Sequence, residues 1–312
     1  RISTRQKTTT CIEAVKENLN PKDVNSLTTA DVRRFKKLIR ARNVSDYTIN
    51  GYLSSLRKIL RWGQRNALVR DLPHIEMAEV VEPKRHVPTA AEFKLMLAAV
   101  PKVVGDSAAE SWRYLIEGLW LSGLRLSEAD VIEWNSSATA KMWVDIDCEH
   151  PVLHTSAAFD KTRQSRSFPM APEAAEFLRK SPPEKRKGRI FNPLAYGNAR
   201  AADRPPLDRQ IKTISAIGKM AGVAVSEKIP RQPLKKGEAA EMKWASAHDL
   251  RRAWCTLWAT RVEAPDLLLM ARHDSMSTTM KFYHSKSAKA SASRAWDAYR
   301  AHAGDDDQRA AS

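Results

Sequence analysis

Residues 247–284 read AHDLRRAWCTLWATRVEAPDLLLMARHDSMSTTMKFYH, and this stretch carries most of the functional information in the chain. His248 and Arg251 are three residues apart, so one helix would present both on one side, near its positive end. His273 and Tyr283 follow. A tyrosine close to cationic and proton-transferring groups is what a phenolate needs to attack a phosphodiester. Such chemistry requires a DNA-binding surface and a second arginine elsewhere.

The second arginine lies in GLWLSGLRLSEA, residues 118–129. Arg125 comes just after Gly123, in a predicted turn between two helices, and leucines flank it on both sides. Glu128 is the predicted supporting partner that orients this arginine. A structural Arg–Glu pair without a functional role is the alternative.

Composition favours a polyanionic partner. Among 312 residues, 52 Lys and Arg stand against 36 Asp and Glu, for a net charge of +16 and a pI near 9.9. Neutralising phosphates releases counterions, so this balance predicts double-stranded DNA as the partner, with an ordinary basic enzyme as the alternative. The three cysteines form no CxxC pair, which argues against a disulfide framework or zinc ribbon and fits a reducing cytoplasm.

The N-terminal part of the chain is helical and basic. Apolar spacing predicts helices over 29–42 and 47–66, and residues 1–85 hold 18 Lys and Arg against 9 Asp and Glu. Cations along these helices and the following linker are predicted to contact DNA, with a solvated helix face as the alternative. They are Lys37, Arg40, Arg57, Arg61, Arg65, Lys84 and Arg85.

The chain divides into two predicted domains. The proline-containing segment 83–88 reads as a linker between a helical DNA-binding domain and a catalytic domain. The predicted ranges are 1–82 for the first domain, 89–303 for the second, and 304–312 for a disordered acidic tail. Residues 159–168 suggest a hairpin with its turn near 162–165, and 226–243 suggests a long basic loop. The fold class predicted is mainly α with a small antiparallel β-sheet, in the α+β class.

Helices are also predicted near the C-terminus. One starts at Pro265 and ends at His273, and Ser277 or Thr278 caps the next, which carries Tyr283. A final helix over 288–302 either docks on a neighbouring protomer or packs on its own domain. Because the sequence begins with arginine instead of methionine, we expect further residues before Arg1 in the full-length protein.

Together these segments resemble the tyrosine recombinase (phage integrase) family over nearly the whole chain. SGLRLSEADVIEW is similar to the family's first arginine box, and HDLRRAWCTLWATR with LLLMARHDSMSTTMKFYH is similar to its second. TINGYLSSLRKILRW, residues 48–62, resembles the family's SAM-like core-binding domain. DKTRQSRSFPM, residues 160–170, resembles the hairpin that carries the catalytic lysine, which implies that role for Lys161.

The resemblance implies a site-specific recombinase that forms a covalent 3′-phosphotyrosine without metal, ATP or any other cofactor. It implies Tyr283 as nucleophile, with the other catalytic residues Arg125, Arg251, His248, His273 and Lys161. It further implies a homodimer on one DNA site and a homotetramer in synapsis, in the cytoplasm with the nucleoid and without a membrane. The alternatives are a type IB topoisomerase-like strand transferase and a DNA-binding protein whose catalytic site has decayed.

The chain departs from the family pattern at two places. Arg272 stands where the family has glycine before the later histidine, and we expect it either to contact DNA phosphate or only to alter the turn. Arg125 and Lys161 also lie farther apart in sequence than is usual for the family.

Overall fold

A computed structural model describes residues 2–80, 85–160, 163–197, 204–227, 241–283 and 296, with side chains from residue 4 onward. Several predictions fall elsewhere: Lys84, Lys161 and the acidic tail lie outside the described residues, as does the final helix apart from Trp296. By contacts, the chain forms two compact units. One contains residues up to Arg85 together with the described part of 226–243, and the other contains the remainder.

Among its described residues, the first unit contains the α-helices α1 (Ile2–Leu19), α2 (Thr29–Ala41) and α3 (Asp46–Arg65). Thr28 and Asp31 form a capping box that starts α2, and the Ser45 hydroxyl caps α3. Apolar side chains at helical spacing meet in one core, which includes Cys11, Val32, Phe35, Ile39, Ile49, Leu53, Leu56 and Leu60. The predicted α2 and α3 are confirmed to within a residue or so at each end, whereas α1 has no clear apolar stripe and is not evident from the sequence.

The second unit surrounds a four-stranded sheet with helices. Its elements are α4 (Ala90–Val104), α5 (Asp106–Ser122), α6 (Leu126–Ala129), β1 (Ile132–Glu133), β2 (Met142–Asp145), β3 (Val152–Thr155), β4 (Arg166–Pro169), α7 (Pro172–Arg179), α8 (Leu207–Met220), α9 (Ala247–Trp258), α10 (Ala264–Ala271) and α11 (Met276–Tyr283). Helix α5 is central, since it packs against α4, α7 and α9, and its Trp112, Leu115, Ile116 and Leu119 are fully buried.

The sheet has the order β1-β2-β3-β4. Strands β2, β3 and β4 are antiparallel, and Leu153 faces Phe168 across the last pair, both buried. The α+β prediction is therefore confirmed, although β1 joins β2 in parallel, so the sheet is mixed. A second sheet pairs β5 (Ala224–Glu227) with β6 (Met242–Trp244). These strands overlap the two ends of residues 226–243, which the sequence analysis predicted to be a loop throughout.

The hairpin lies elsewhere than predicted. Its strands are β3 and β4, and Phe159 belongs to the connection between them. The backbone N–H groups of Phe159 and Asp160 both donate to the carbonyl of Ser156, which turns the chain before the predicted first strand could form. The Asp160 carboxylate pairs with Arg166 across this connection. Among the described helices, none is long and apolar enough to cross a membrane.

Candidate active site

A tight turn after α5 sets the position of the first arginine. Gly123 ends α5 with φ 60° and ψ 19°, a left-handed conformation that favours glycine. A Cβ there would lie 2.3 Å from Cε3 of Trp254, so α5 and α9 approach closely at this point. Arg125 then caps α6, and its backbone N–H donates to Oε2 of Glu128 at 2.8 Å. The turn therefore brings Arg125 and Glu128 together beside α9.

Glu128 is the centre of the site. It is buried, and three guanidinium groups surround it: Nη1 of Arg125 is 2.7 Å from Oε1, while Nη2 of Arg272 and Nη1 of Arg251 are 3.1 and 4.0 Å from Oε2. Burial alone would raise the pKa of this carboxyl, but the three positive charges hold that pKa at about 2. Glu128 is therefore ionised at neutral pH, and the predicted pairing with Arg125 is present.

Arg251 lies on the first turns of α9, almost fully buried. Ser246 and Asp249 form the capping box that begins this helix. The two Nη groups of Arg251 donate to the backbone carbonyls of Gly123 and Ala271. Burial and the neighbouring guanidiniums lower the pKa of Arg251 to about 10, which still leaves it charged at neutral pH.

Arg125 is the most exposed of the three arginines. Its side chain is 41% exposed, against 4% for Arg251 and 7% for Arg272. Three guanidiniums and one carboxylate give these four side chains a formal charge of 3 − 1 = +2. A solvent-facing guanidinium backed by net positive charge is suited to an anion with several oxygens, such as a phosphate.

His273 follows α10 directly and joins the cluster. Its Nδ1 is 2.9 Å from Oγ1 of the buried Thr279, and its ring is parallel to that of Phe282 at 5.9 Å. Burial lowers the pKa of His273 to about 4, reinforced by the charges of Arg251, Arg125 and Arg272. The imidazole is therefore neutral at pH 7, with one N–H to donate. Thr279 has no signal in the sequence, because only the folded chain brings it to the ring.

Tyr283 is the last residue of α11. Its hydroxyl donates to the backbone carbonyl of Val262 at 2.7 Å, and its ring packs beside the buried cluster that includes Trp258. Partial burial raises the pKa of Tyr283, and so do the carboxylates of Asp266 and Glu263. These two carboxylates oppose ionisation of the phenol, whereas the sequence analysis expected arginines and imidazoles that favour it.

The two other predicted catalytic residues are His248 and Lys161. His248 is exposed at the second position of α9, and Lys161 lies outside the described residues. Arg272 differs from its prediction as a DNA contact, because its side chain points inward onto Glu128 and is almost fully buried. Within the described ranges, no cluster of three His, Cys, Asp or Glu side chains could hold a metal ion.

The predicted DNA-contacting residues of the first unit fall into two groups. Lys37, Arg40, Arg61, Arg65 and Arg85 are exposed, with Arg40 2.7 Å from Asp46 in an ion pair. Arg57 is an exception, since its Nη2 donates to the carbonyl of Ile75 inside the same unit, which gives it a structural role. The sequence analysis did not single out Trp62, which is 61% exposed and follows Arg61 on α3.

Comparison with solved structures identifies the fold. The chain is similar to a Tn1549 transposon integrase in complex with transposon right end DNA, with TM-score 0.65, 15% identity, and 96% of this chain and 94% of that chain covered. It is also similar to a lambda integrase dimer bound to a COC′ core site, with TM-score 0.63, 13% identity, and coverage of 90% and 88%. A lambda integrase tetramer bound to a Holliday junction gives TM-score 0.61, 14% identity, and coverage of 90% and 72%.

These likenesses are structural. No protein-family model matches the sequence, and no curated protein matches it either. At identities this low the comparisons establish the fold, which is the one that these integrases share, as the resemblance of the sequence motifs predicts.

Proposed function

We propose that this chain is a site-specific DNA recombinase that breaks and rejoins strands through a covalent 3′-phosphotyrosine at Tyr283. The observation that carries the proposal is the convergence of Arg125 and Arg251 on Glu128, with His273 near enough for their charges to lower its pKa, in a fold shared with integrases solved on DNA. These side chains come from two sequence motifs more than a hundred residues apart. A chance match to one motif alone would not bring residues of the other motif to the same place.

The scissile phosphate would bind at the exposed side of the cluster. Arg125 offers a charged planar fork to the non-bridging oxygens, and Arg251 has donors beyond the two used on backbone carbonyls. Neutral His273 would donate one further hydrogen bond as charge develops on the phosphorane. This arrangement stabilises the transition state more than the bound substrate, because its donors are held in place beforehand.

Strand cleavage requires Tyr283 to leave the carbonyl of Val262. The Tyr283 oxygen then bonds to phosphorus while the bond from phosphorus to the 5′ oxygen breaks. His248 would accept the phenolic proton, and Lys161 would protonate the departing 5′ oxygen. The new linkage keeps the energy of a phosphodiester, so attack by a 5′ hydroxyl reverses the step without a cofactor. The first unit's exposed cations would hold duplex DNA, with a homodimer on one site and a homotetramer joining two sites.

The direct test is covalent capture. The protein is incubated with nicked duplexes of randomised core sequence, and DNA that stays attached in denaturant is recovered and sequenced. Tyr283→Phe should abolish the complex. Tyr114→Phe is the matched control, since Tyr114 is another partly buried tyrosine, with its hydroxyl 3.0 Å from Ser181.

Three outcomes separate the alternatives. Capture that survives Tyr283→Phe contradicts the nucleophile. Relaxation of supercoiled plasmid without joining of partner sites would indicate a type IB topoisomerase. Tight, sequence-specific binding with no covalent complex would indicate a decayed site.

A further inference from the structure

Arg272 has a conformation that needs an explanation. It ends α10 with φ 54° and ψ 46°, in the left-handed region where a side chain is unfavourable and glycine is not. Its side chain is nevertheless buried, although arginine is seldom buried unless paired. A residue that is both strained and buried is held in place by its contacts.

Those contacts connect the whole cluster. Nε and Nη2 of Arg272 donate to Oε2 of Glu128 at 3.2 and 3.1 Å, and Nη1 donates to the carbonyl of Met270 at 2.7 Å. Nη2 also lies 3.3 Å from the carbonyl oxygen of Gly123, which Arg251 shares. In return, the backbone carbonyl of Arg272 accepts a hydrogen bond from Nη2 of Arg125 at 3.0 Å.

We propose that Arg272 is a positioning residue that keeps the guanidinium of Arg125 available to an anion. Arg272 occupies Oε2 of Glu128 with two N–H groups, so Arg125 reaches Glu128 through a single side-chain bond to Oε1. Without Arg272, Oε2 would keep only the hydrogen bond from the backbone N–H of Arg125 and could accept a second bond from its side chain, and the resulting bidentate pair would use a further donor meant for the ligand. The inference rests on the proposed function, since the anion would be the scissile phosphate.

A role limited to closing the turn predicts something different. Glycine would form the same left-handed turn with less strain, so the guanidinium would be dispensable. The two roles therefore differ in what Arg272→Gly does to anion binding. Loss of the Arg272 charge would raise the pKa of His273 under either role, so that pKa reports only that the charge has been removed.

The experiment uses inorganic phosphate as the probe and needs no DNA. Binding is followed in the full chain by the NMR signals of His273 and by thermal unfolding. Arg272→Gly should bind phosphate about tenfold more weakly, the order expected for loss of one charge-assisted contact. It should also raise the pKa of His273. Ala67→Gly is the matched control for strain relief, since Ala67 has φ 57° in the first unit. It should change neither quantity.

Unchanged phosphate affinity in Arg272→Gly would overturn the positioning role. If the glycine variant does not fold, Arg272→Asn serves instead, because asparagine tolerates the left-handed region and is too short to make these contacts. Failure of the proposed function is distinguishable. In that case the parent protein still binds phosphate at Arg125, and Arg272→Gly still weakens that binding, but no covalent complex forms with nicked DNA.

Discussion

Nη2 of Arg125 donates a hydrogen bond to the backbone carbonyl of Arg272, 3.0 Å away and 147 residues later in the chain. The turn after α5 is thereby joined directly to the end of α10. Glu128 joins the same two segments a second time, through its ion pairs with both arginines. The two arginine boxes of the sequence are thus one structural unit, with the more exposed arginine supported by the buried one.

Acid should destabilise the protein in two steps. Folding lowers the pKa of His273 from 6.5 to about 4 and that of Glu128 from 4.5 to about 2. The unfolded chain therefore binds more protons within each interval, and stability falls as the pH drops through it. Glu128 should account for about 3 kcal/mol between pH 4.5 and 2. Urea unfolding at a series of pH values measures both steps.

Glu128→Gln identifies the lower step. The free energy of unfolding of the variant should be roughly 3–5 kcal/mol lower at pH 7, because the three guanidinium groups lose their buried counter-charge. Its stability should change little between pH 4.5 and 2, because the group that titrates there is gone. Glu110→Gln, at an exposed position of α5, is the control and should stay within about 0.5 kcal/mol of the parent. A Glu128→Gln protein as stable as that control would contradict the central role of this carboxylate.

Gly123→Ala should disrupt the contact between α5 and α9. The new Cβ would combine left-handed strain with an overlap of Trp254, and we expect a loss of about 2–4 kcal/mol in the free energy of unfolding. Gly188→Ala isolates the strain, since Gly188 has φ 64° and no atom within 4 Å of the added Cβ. That control should cost about 1 kcal/mol. Equal losses in the two variants would mean that the close approach to Trp254 is unimportant.

Neutralising a carboxylate near Tyr283 should make the phenol more acidic. Asp266→Asn removes a charge that raises the pKa of Tyr283, so this pKa should fall in an NMR titration of labelled tyrosine. Under the proposed function, the covalent complex should also form faster near pH 8. Asp208→Asn, at an exposed position of α8, controls for the general gain in DNA affinity on losing a negative charge. The same acceleration in both variants would assign the effect to DNA binding.

Salt dependence should separate DNA contacts from structural arginines in the first unit. Arg61→Ala and Arg65→Ala should each reduce the slope of log K against log salt by roughly 0.9, as expected for one lost phosphate contact. Arg57→Ala should leave that slope unchanged and lower the stability of the unit by about 1 kcal/mol, because Arg57 bonds to the carbonyl of Ile75. Binding titrations at several salt concentrations decide between these outcomes.

Local sequence signals predicted those parts of the fold that depend only on residues close together in the chain. Capping residues and apolar spacing locate α2 and α3, and the glycine before Leu124 locates the turn that carries Arg125. The parallel pairing of β1 with β2 has no such signal. Strand β1 is only two residues long, and each of its residues pairs with one ten positions later in the chain. The hairpin was misplaced because bonds to the Ser156 carbonyl turn the chain early.

The sequence motifs predicted that several of these side chains lie near one another, and they predicted the arrangement less well. Arg125, Glu128, Arg251 and His273 come together as their motifs suggest. The inward direction of Arg272 depends on burial against Glu128, and the environment of Tyr283 depends on carboxylates of the preceding helix. Neither is encoded at a fixed sequence spacing, so neither could be read from the chain alone.

The sharing of one carboxylate by three arginines has a consequence for how this site can change. The contribution of each arginine depends on whether the other two are present, so their substitutions should be strongly non-additive. A chain with Arg272 in place of glycine but without Glu128 would bury an uncompensated positive charge. Loss of Glu128 once Arg272 is present would leave three guanidinium groups without their shared counter-charge. The order in which these positions mutate is therefore constrained, and moving any one of them into a different protein of this fold should fail unless its partners are moved with it.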